Sequence, residues 1–296
     1  MLDHPLQDTE DWVILFSNSS LPILRHTKRQ LDEMRADMEH LDPRHLAHVI
    51  LQDPIMAVRV MAYIQPLRGH TLQHDITTIA GAVMMAGVEP FFHRFSELPT
   101  IEGMLEGEDP QALLGVLKII RRAQRATQYA HDWAAWRHDI NIEEVRVATL
   151  LHDLAEILVW CFAPKLGLQI RAEQLAQPGM RSAAAQAKVL GFTLQELQLA
   201  LCRAWHLPEL LRQLINDDNA THPRVRNVTL AVRLARHSAQ GWDDPALPDD
   251  YRDIGEWLHM TPEAVQERLG LGNSKPLQPI PDSSSSVHPP VEDNPT

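Results

Sequence analysis

Apolar residues recur at helical spacing along most of the chain. Ile23, Thr27, Leu31, Met34 and Met38 make one such face. Met56, Val60, Met61 and Ile64 belong to a second, and Leu113, Val116, Leu117, Ile120 and Ala123 to a third. Steps of three and four put these side chains on one side of an α-helix. Sustained period-two alternation is absent, so no strand is predicted. The helix starts are marked as well. Asp42-Pro43, Asp53-Pro54, Asp109-Pro110 and Thr261-Pro262 each put a capping oxygen before a proline. The oxygen accepts from a free backbone N–H, and proline at the first helical position has no N–H to leave unpaired. Thr193 with Glu196 three residues on has the form of a capping box. The pattern predicts an all-α fold.

The same pattern suggests an order of parts. Residues 1–19 form an N-terminal extension, and a main domain follows over 20–240. Within it, short helices over about 20–102 make one lobe, and longer helices over about 108–240 a second. The polar stretch Gly103 to Pro110 is the candidate linker. A C-terminal helical extension occupies 241–271. From 272 to 296 the composition turns to Pro, Ser and acidic residues, which cannot bury enough apolar surface to offset ordering, so disorder is expected.

Composition narrows the function classes. Hydrophobic residues make up 44% of the 296, enough for a substantial core. The formal net charge of −12 argues against nucleic acid and against an anionic membrane surface as partners, since both need clustered positive charge. No uncharged apolar run approaches the roughly 18 residues of a membrane span, and the first dozen residues lack a basic signal-peptide region. A cytoplasmic protein is the expectation. The two cysteines, Cys161 and Cys202, form no CxxC pair, so neither a disulfide framework nor a thiolate zinc site is expected.

One motif carries chemistry. Leu150-Leu151-His152-Asp153-Leu154 falls within an apolar helical pattern running from near Glu143 to Val159, read as one continuous helix. Burying a histidine and an aspartate there requires partners for both. One solution is a divalent metal; the other is a backbone group or an arginine. Arg121, Arg122 and Arg125 form a basic patch on a preceding helix. They read either as surface ion pairs or as the source of a cation that pairs with Asp153 in place of a metal. His40, His45, His48, His131 and His138 cluster along the chain, but their polar flanks read as surface. Trp133, Trp136, Trp160, Trp205 and Trp257 read as core or lobe-interface residues.

Four segments together resemble the HDOD family, relatives of the HD phosphohydrolases. LPILRHTKRQLDEM followed by HLAHVILQDPIMAVRVMAYIQ is similar to the family's opening, with a Leu-Pro helix and then an Asp-Pro helix. ITTIAGAVMMAGVEPFF, VATLLHDLAEILV and WHLPELLRQLI resemble its next three segments, in order. The resemblance spans roughly residues 20 to 240. It implies an HD-type helical bundle with an additional N-terminal helical lobe, and a regulatory role in bacterial signalling.

The family's catalytic relatives need more ligands than this chain offers. The window for their first metal histidine holds Arg121-Arg122-Ala123. The position of their final aspartate falls on Val232, and the stretch where many relatives carry a His-His pair holds Ile215-Asn216-Asp217-Asp218. A catalytic divalent ion requires several converging O or N ligands and an open position for water. His152 and Asp153 remain as a remnant HD motif, with Arg121, Arg122, Arg125, Asp217 and Asp218 as candidate cleft residues. The expectation is therefore a pseudo-hydrolase with no catalytic residues, no metal and no cofactor. It would act through a signalling protein partner or a small ligand in the cleft between the lobes. The alternative is a degenerate metal-dependent phosphohydrolase acting on a nucleotide or other phosphate ester, with Asp217 or Asp218 as substitute ligands.

Overall fold

The computed structural model describes residues 1–67, 75–138, 140–177, 179–219 and 221–271, and every described element is helical apart from one isolated bridge. Residues 272–296, expected to be disordered, lie outside the described residues. Among the described residues, seven α-helices precede the long central one: α1 (Thr9–Asn18), α2 (Arg25–Arg35), α3 (Pro43–Ile50), α4 (Pro54–Leu67), α5 (Ile79–Ala86), α6 (Val88–Arg94) and α7 (Ile101–Met104). The central helix is α8 (Pro110–Arg137). Around it lie α9 (Ile142–Leu151), α10 (Leu154–Phe162), α11 (Pro164–Ala176), α12 (Ser182–Leu190), α13 (Leu194–Ala204), α14 (Glu209–Ile215) and α15 (Pro223–His237). The chain continues in α16 (Leu247–Leu258) and α17 (Pro262–Arg268).

The sequence signals for helix starts act as expected. Asp42, Asp109 and Thr261 cap α3, α8 and α17, and Thr193 with Glu196 closes a capping box on α13. Asp53 does more than cap. It is fully buried and accepts N–H bonds from Ile55 at 2.9 Å and Met56 at 3.0 Å at the start of α4, and from Leu24 at 2.7 Å ahead of α2. One carboxylate thus ties two distant chain segments together. Arg59 extends the tie, donating to the Leu21 carbonyl at 2.6 Å. Ile23 then bridges to the α7 segment: its N–H donates to Pro99 and its carbonyl accepts from Ile101.

Alpha8 packs against α9, α10, α11 and α15. Its buried face carries Ala112, Gly115, Ala123, Ala126, Ala130 and Ala134 between Val116, Ile119 and Ile120. Small residues let neighbouring helices approach closely while the branched ones fill the gaps. Trp160 of α10 uses that space most fully. A methyl carbon on Gly115 would lie 2.2 Å from its ring, and one on Gly167 of α11 2.6 Å from it. The absence of a side chain at both positions seats the indole.

Buried apolar residues from Trp12 to Val265 form one continuous cluster. Trp12 and Phe16 of α1 are fully enclosed, and Phe16 meets Phe162 edge-on at 5.3 Å. The C-terminal helices dock on α8 and α15. Arg137 lies over the Trp257 ring at 3.9 Å, and Asp250 accepts from Arg233 and pairs with His237. Of the tryptophans read as core or interface, Trp133, Trp160 and Trp257 are buried and Trp205 is half-buried, its N–H donating to Ser17. Trp136 departs from that reading: it is 40% exposed at the end of α8, where the packed face has rotated away and Arg268 covers its ring.

Candidate functional site

His152 and Asp153 do not lie inside a continuous helix. Alpha9 ends at Leu151, α10 begins at Leu154, and the pair forms the turn between them. The apolar spacing runs through unbroken because Leu150, Leu151 and Leu154 are all buried, which is why periodicity alone reads as a single helix. The break occurs at Asp153, whose φ of −99° and ψ of 22° leave the helical region. It frees the Ala155 N–H, and the buried Gln198 of α13 accepts that bond at 2.8 Å. The turn is therefore held from a neighbouring helix, as a buried free N–H requires.

Around the turn, charges interlock. Arg122 of α8 donates to Asp153 Oδ2 from Nε at 3.0 Å and from Nη2 at 2.6 Å. The same Nη2 donates to Glu156 Oε2 at 2.5 Å. Asp153 Oδ1 meets His152 Nδ1 at 2.9 Å and Arg236 Nη2 at 3.4 Å. His152 Nε2 lies 3.1 Å from Asp217 Oδ1, which also accepts from the Thr229 hydroxyl at 3.1 Å. Asp217 is exposed, whereas His152 and Asp153 are buried.

These contacts determine protonation. Burial disfavours the imidazolium of His152, but its bonds to Asp153 and Asp217 outweigh that, and its pKa is pushed up to about 9. Burial likewise disfavours the Asp153 carboxylate, yet Arg122, Arg236 and His152 hold it well below the usual range. Neighbouring atoms partly desolvate the exposed Asp217, but its bond to His152 above all holds it below the usual carboxylate value. Arg122 stays firmly charged: Glu156 and Asp153 overcome its desolvation. At neutral pH three carboxylates (Asp153, Glu156, Asp217) face three cations (Arg122, His152, Arg236). Buried charges that pair and hydrogen-bond in this way meet the condition for tolerating burial.

A catalytic divalent ion does not fit these residues. A metal ligand must offer a lone pair. Both ring nitrogens of His152 point at carboxylates, Nδ1 at Asp153 and Nε2 at Asp217, so neither faces an open position. The guanidinium of Arg122 lies where an ion bound to Asp153 Oδ2 would have to approach. Val232 is buried and offers no donor. Among the described residues, no group of three or more His, Cys, Asp or Glu side chains is placed to hold a metal.

The HDOD domain family matches residues 21–221, more than half of the chain. The chain belongs to the HDOD domain family. Two solved structures share its fold. One is the MmoQ response regulator from Methylococcus capsulatus, at 19% identity and a TM-score of 0.59, covering 87% of this chain and 96% of that one. The other is a virulence factor from Campylobacter jejuni, at 16% identity and a TM-score of 0.60, covering 91% and 94%. No curated protein matches the chain. The HDOD segments fall on identifiable elements. The Asp-Pro pair opens α4, the second segment forms α5 and enters α6, the His-Asp pair makes the turn before α10, and the Trp-x-Leu-Pro segment leads into α14.

Of the candidate cleft residues in this HDOD chain, the structure brings Arg122 and Asp217 to the His-Asp pair. Arg125 turns elsewhere and donates to the Ser238 carbonyl at 3.3 Å, and Arg121 is exposed. Asp218 is exposed, and its backbone N–H is taken by Asn216. Sequence reasoning missed Glu156, Arg236, Gln198 and Thr229. Glu156 was findable, because three residues after Asp153 is the same helix face. Arg236 lies one turn beyond Val232 and reaches Asp153 from there, so attention to the single position 232 passed over it. A cavity of about 300 Å³ opens over the turn, lined by His152, Asp153, Gln186, Asp217 and Arg236 among others.

Proposed function

We propose that this HDOD chain is a non-catalytic regulatory module of bacterial signal transduction, acting by binding a protein partner or a small ligand. The carrying observation is Arg122. Its guanidinium pairs with Asp153 and Glu156, in the window where catalytic relatives place a metal histidine. A fixed positive charge does there the electrostatic work an ion would otherwise do, without a bound water to activate. The family supports the regulatory assignment, and the arginine supports the loss of hydrolysis. Any sensory input reaches the domain through what it binds. A cytoplasmic setting is part of this proposal; among the described residues, no single helix is long and apolar enough to cross a membrane.

Metal content tests the reading. Protein incubated with Mn²⁺, Fe²⁺, Ni²⁺ and Zn²⁺ and then dialysed is expected to carry far less than one ion per chain by elemental analysis. A stoichiometric ion that is lost on changing Asp153 to Ala would contradict it.

A further inference from the structure

A second cavity opens on the other side of Arg122. It measures about 540 Å³ and is walled by α8, α10, α11 and the end of α15. Lys118, Arg121, Arg122, Arg125 and Arg171 line it, with Glu156 as the only carboxylate. Glu156 is already bound to Arg122. Four of the cations lie at steps of three and four along α8, so each adds repulsion to the next. Among the described residues, Lys118, Arg121 and Arg171 make no ion pair, and Arg125 has only a backbone carbonyl. In a chain with a net charge of −12, where Arg224, Arg233 and Arg236 are each matched by a carboxylate, that is a local surplus of positive charge facing a concavity.

Apolar side chains supply much of the rest of the lining. Ile119, Ile170 and the largely buried Trp160 indole, wedged against Gly115 and Gly167, form the floor. Gln174 and Gln240 supply amides at the margin. A cationic rim over an aromatic and aliphatic floor matches a ligand with phosphates at one end and a planar ring at the other. We infer that this cavity binds a phosphorylated nucleoside: the phosphates lie on Lys118, Arg121 and Arg171, and the base lies against the apolar floor of Ile119, Ile170 and Trp160. The inference goes beyond the proposed function and does not depend on it. The cavity holds its ligand whether or not the His152 centre performs chemistry.

Calorimetric titration of the full chain with ADP, GDP, pyrophosphate and adenosine tests it, with nucleotide turnover followed in the same samples. ADP or GDP is expected to bind at low salt and to weaken as salt rises. Pyrophosphate is expected to bind at least about tenfold more weakly because it lacks the base that rests on the apolar floor, and adenosine not to register because it lacks the charge-assisted bonds to phosphate. Lys118→Gln combined with Arg121→Gln should reduce nucleotide affinity at least about tenfold. Arg171→Gln alone, on a different helix, should reduce it too, and the exposed Arg44→Gln of α3 should not. Melting temperatures establish that each variant is folded. Absence of nucleotide binding, pyrophosphate binding as tightly as ADP, or equal loss in the Arg44 variant would overturn the inference. Turnover of bound nucleotide would count against the proposed function and leave this inference standing.

Discussion

At the scale of single residues, the centre of the molecule is a set of charges that satisfy one another. His152 and Asp153 were legible in the sequence as a pair that needs partners, and the basic patch was legible as a source for one. The choice of Arg122 over Arg121 or Arg125 was not, because it depends on which face of α8 meets α10. The pairing makes stability depend on pH in a defined window. His152 has its pKa raised from an ordinary value near 6.5 to about 9, so its contribution is complete below about pH 6.5 and is lost as pH rises toward 9. Asp153 and Asp217 are lowered, so theirs is present above about pH 4 and is lost as pH falls below it. Stability should therefore peak between about pH 4 and 6.5 and decline on the alkaline side by about 3 kcal/mol. Urea denaturation across pH checks this. His152→Gln should flatten the limb between about pH 6.5 and 9, and an alkaline limb as steep as that of the wild type would show that another group causes it.

At the scale of elements, helix starts were the most readable feature, because capping is local chemistry between neighbours. The Asp-Pro pairs show this at α3 and α8, and Thr193 shows it at α13. The break at His152-Asp153 was hidden, since the apolar spacing runs across it and the cause lies in contacts with α8 and α13. The seat of Trp160 was equally hidden: neither Gly115 nor Gly167 stands at a turn, and only the packing of three helices explains them. That seat makes an unusual prediction. Alanine is a better helix former than glycine by about 1 kcal/mol. Gly115→Ala should nevertheless destabilise the protein by about 1–3 kcal/mol, because its methyl would overlap a ring enclosed by α8 and α11. Thermal melting decides it; a raised melting temperature would mean the ring has room to move.

At the scale of the whole molecule, the helical class and the family were readable because four separate segments kept their order along the chain. The site was readable only in part, since its six charges come from α8, the turn before α10, α10 itself, the segment after α14, and α15. The assembly has a single character: carboxylates from three parts of the chain are held by two arginines and an imidazolium. Removing one member of such a buried set strands the others, at a cost of roughly 3–5 kcal/mol. The most direct test compares wild type with Asp153→Ala, measuring unfolding free energy and Mn²⁺- and Mg²⁺-dependent hydrolysis of a panel of phosphate esters. The account predicts a loss of stability of that order in the variant and no metal-dependent hydrolysis in either protein. Metal-dependent turnover in the wild type that disappears in a variant of unchanged stability would contradict it.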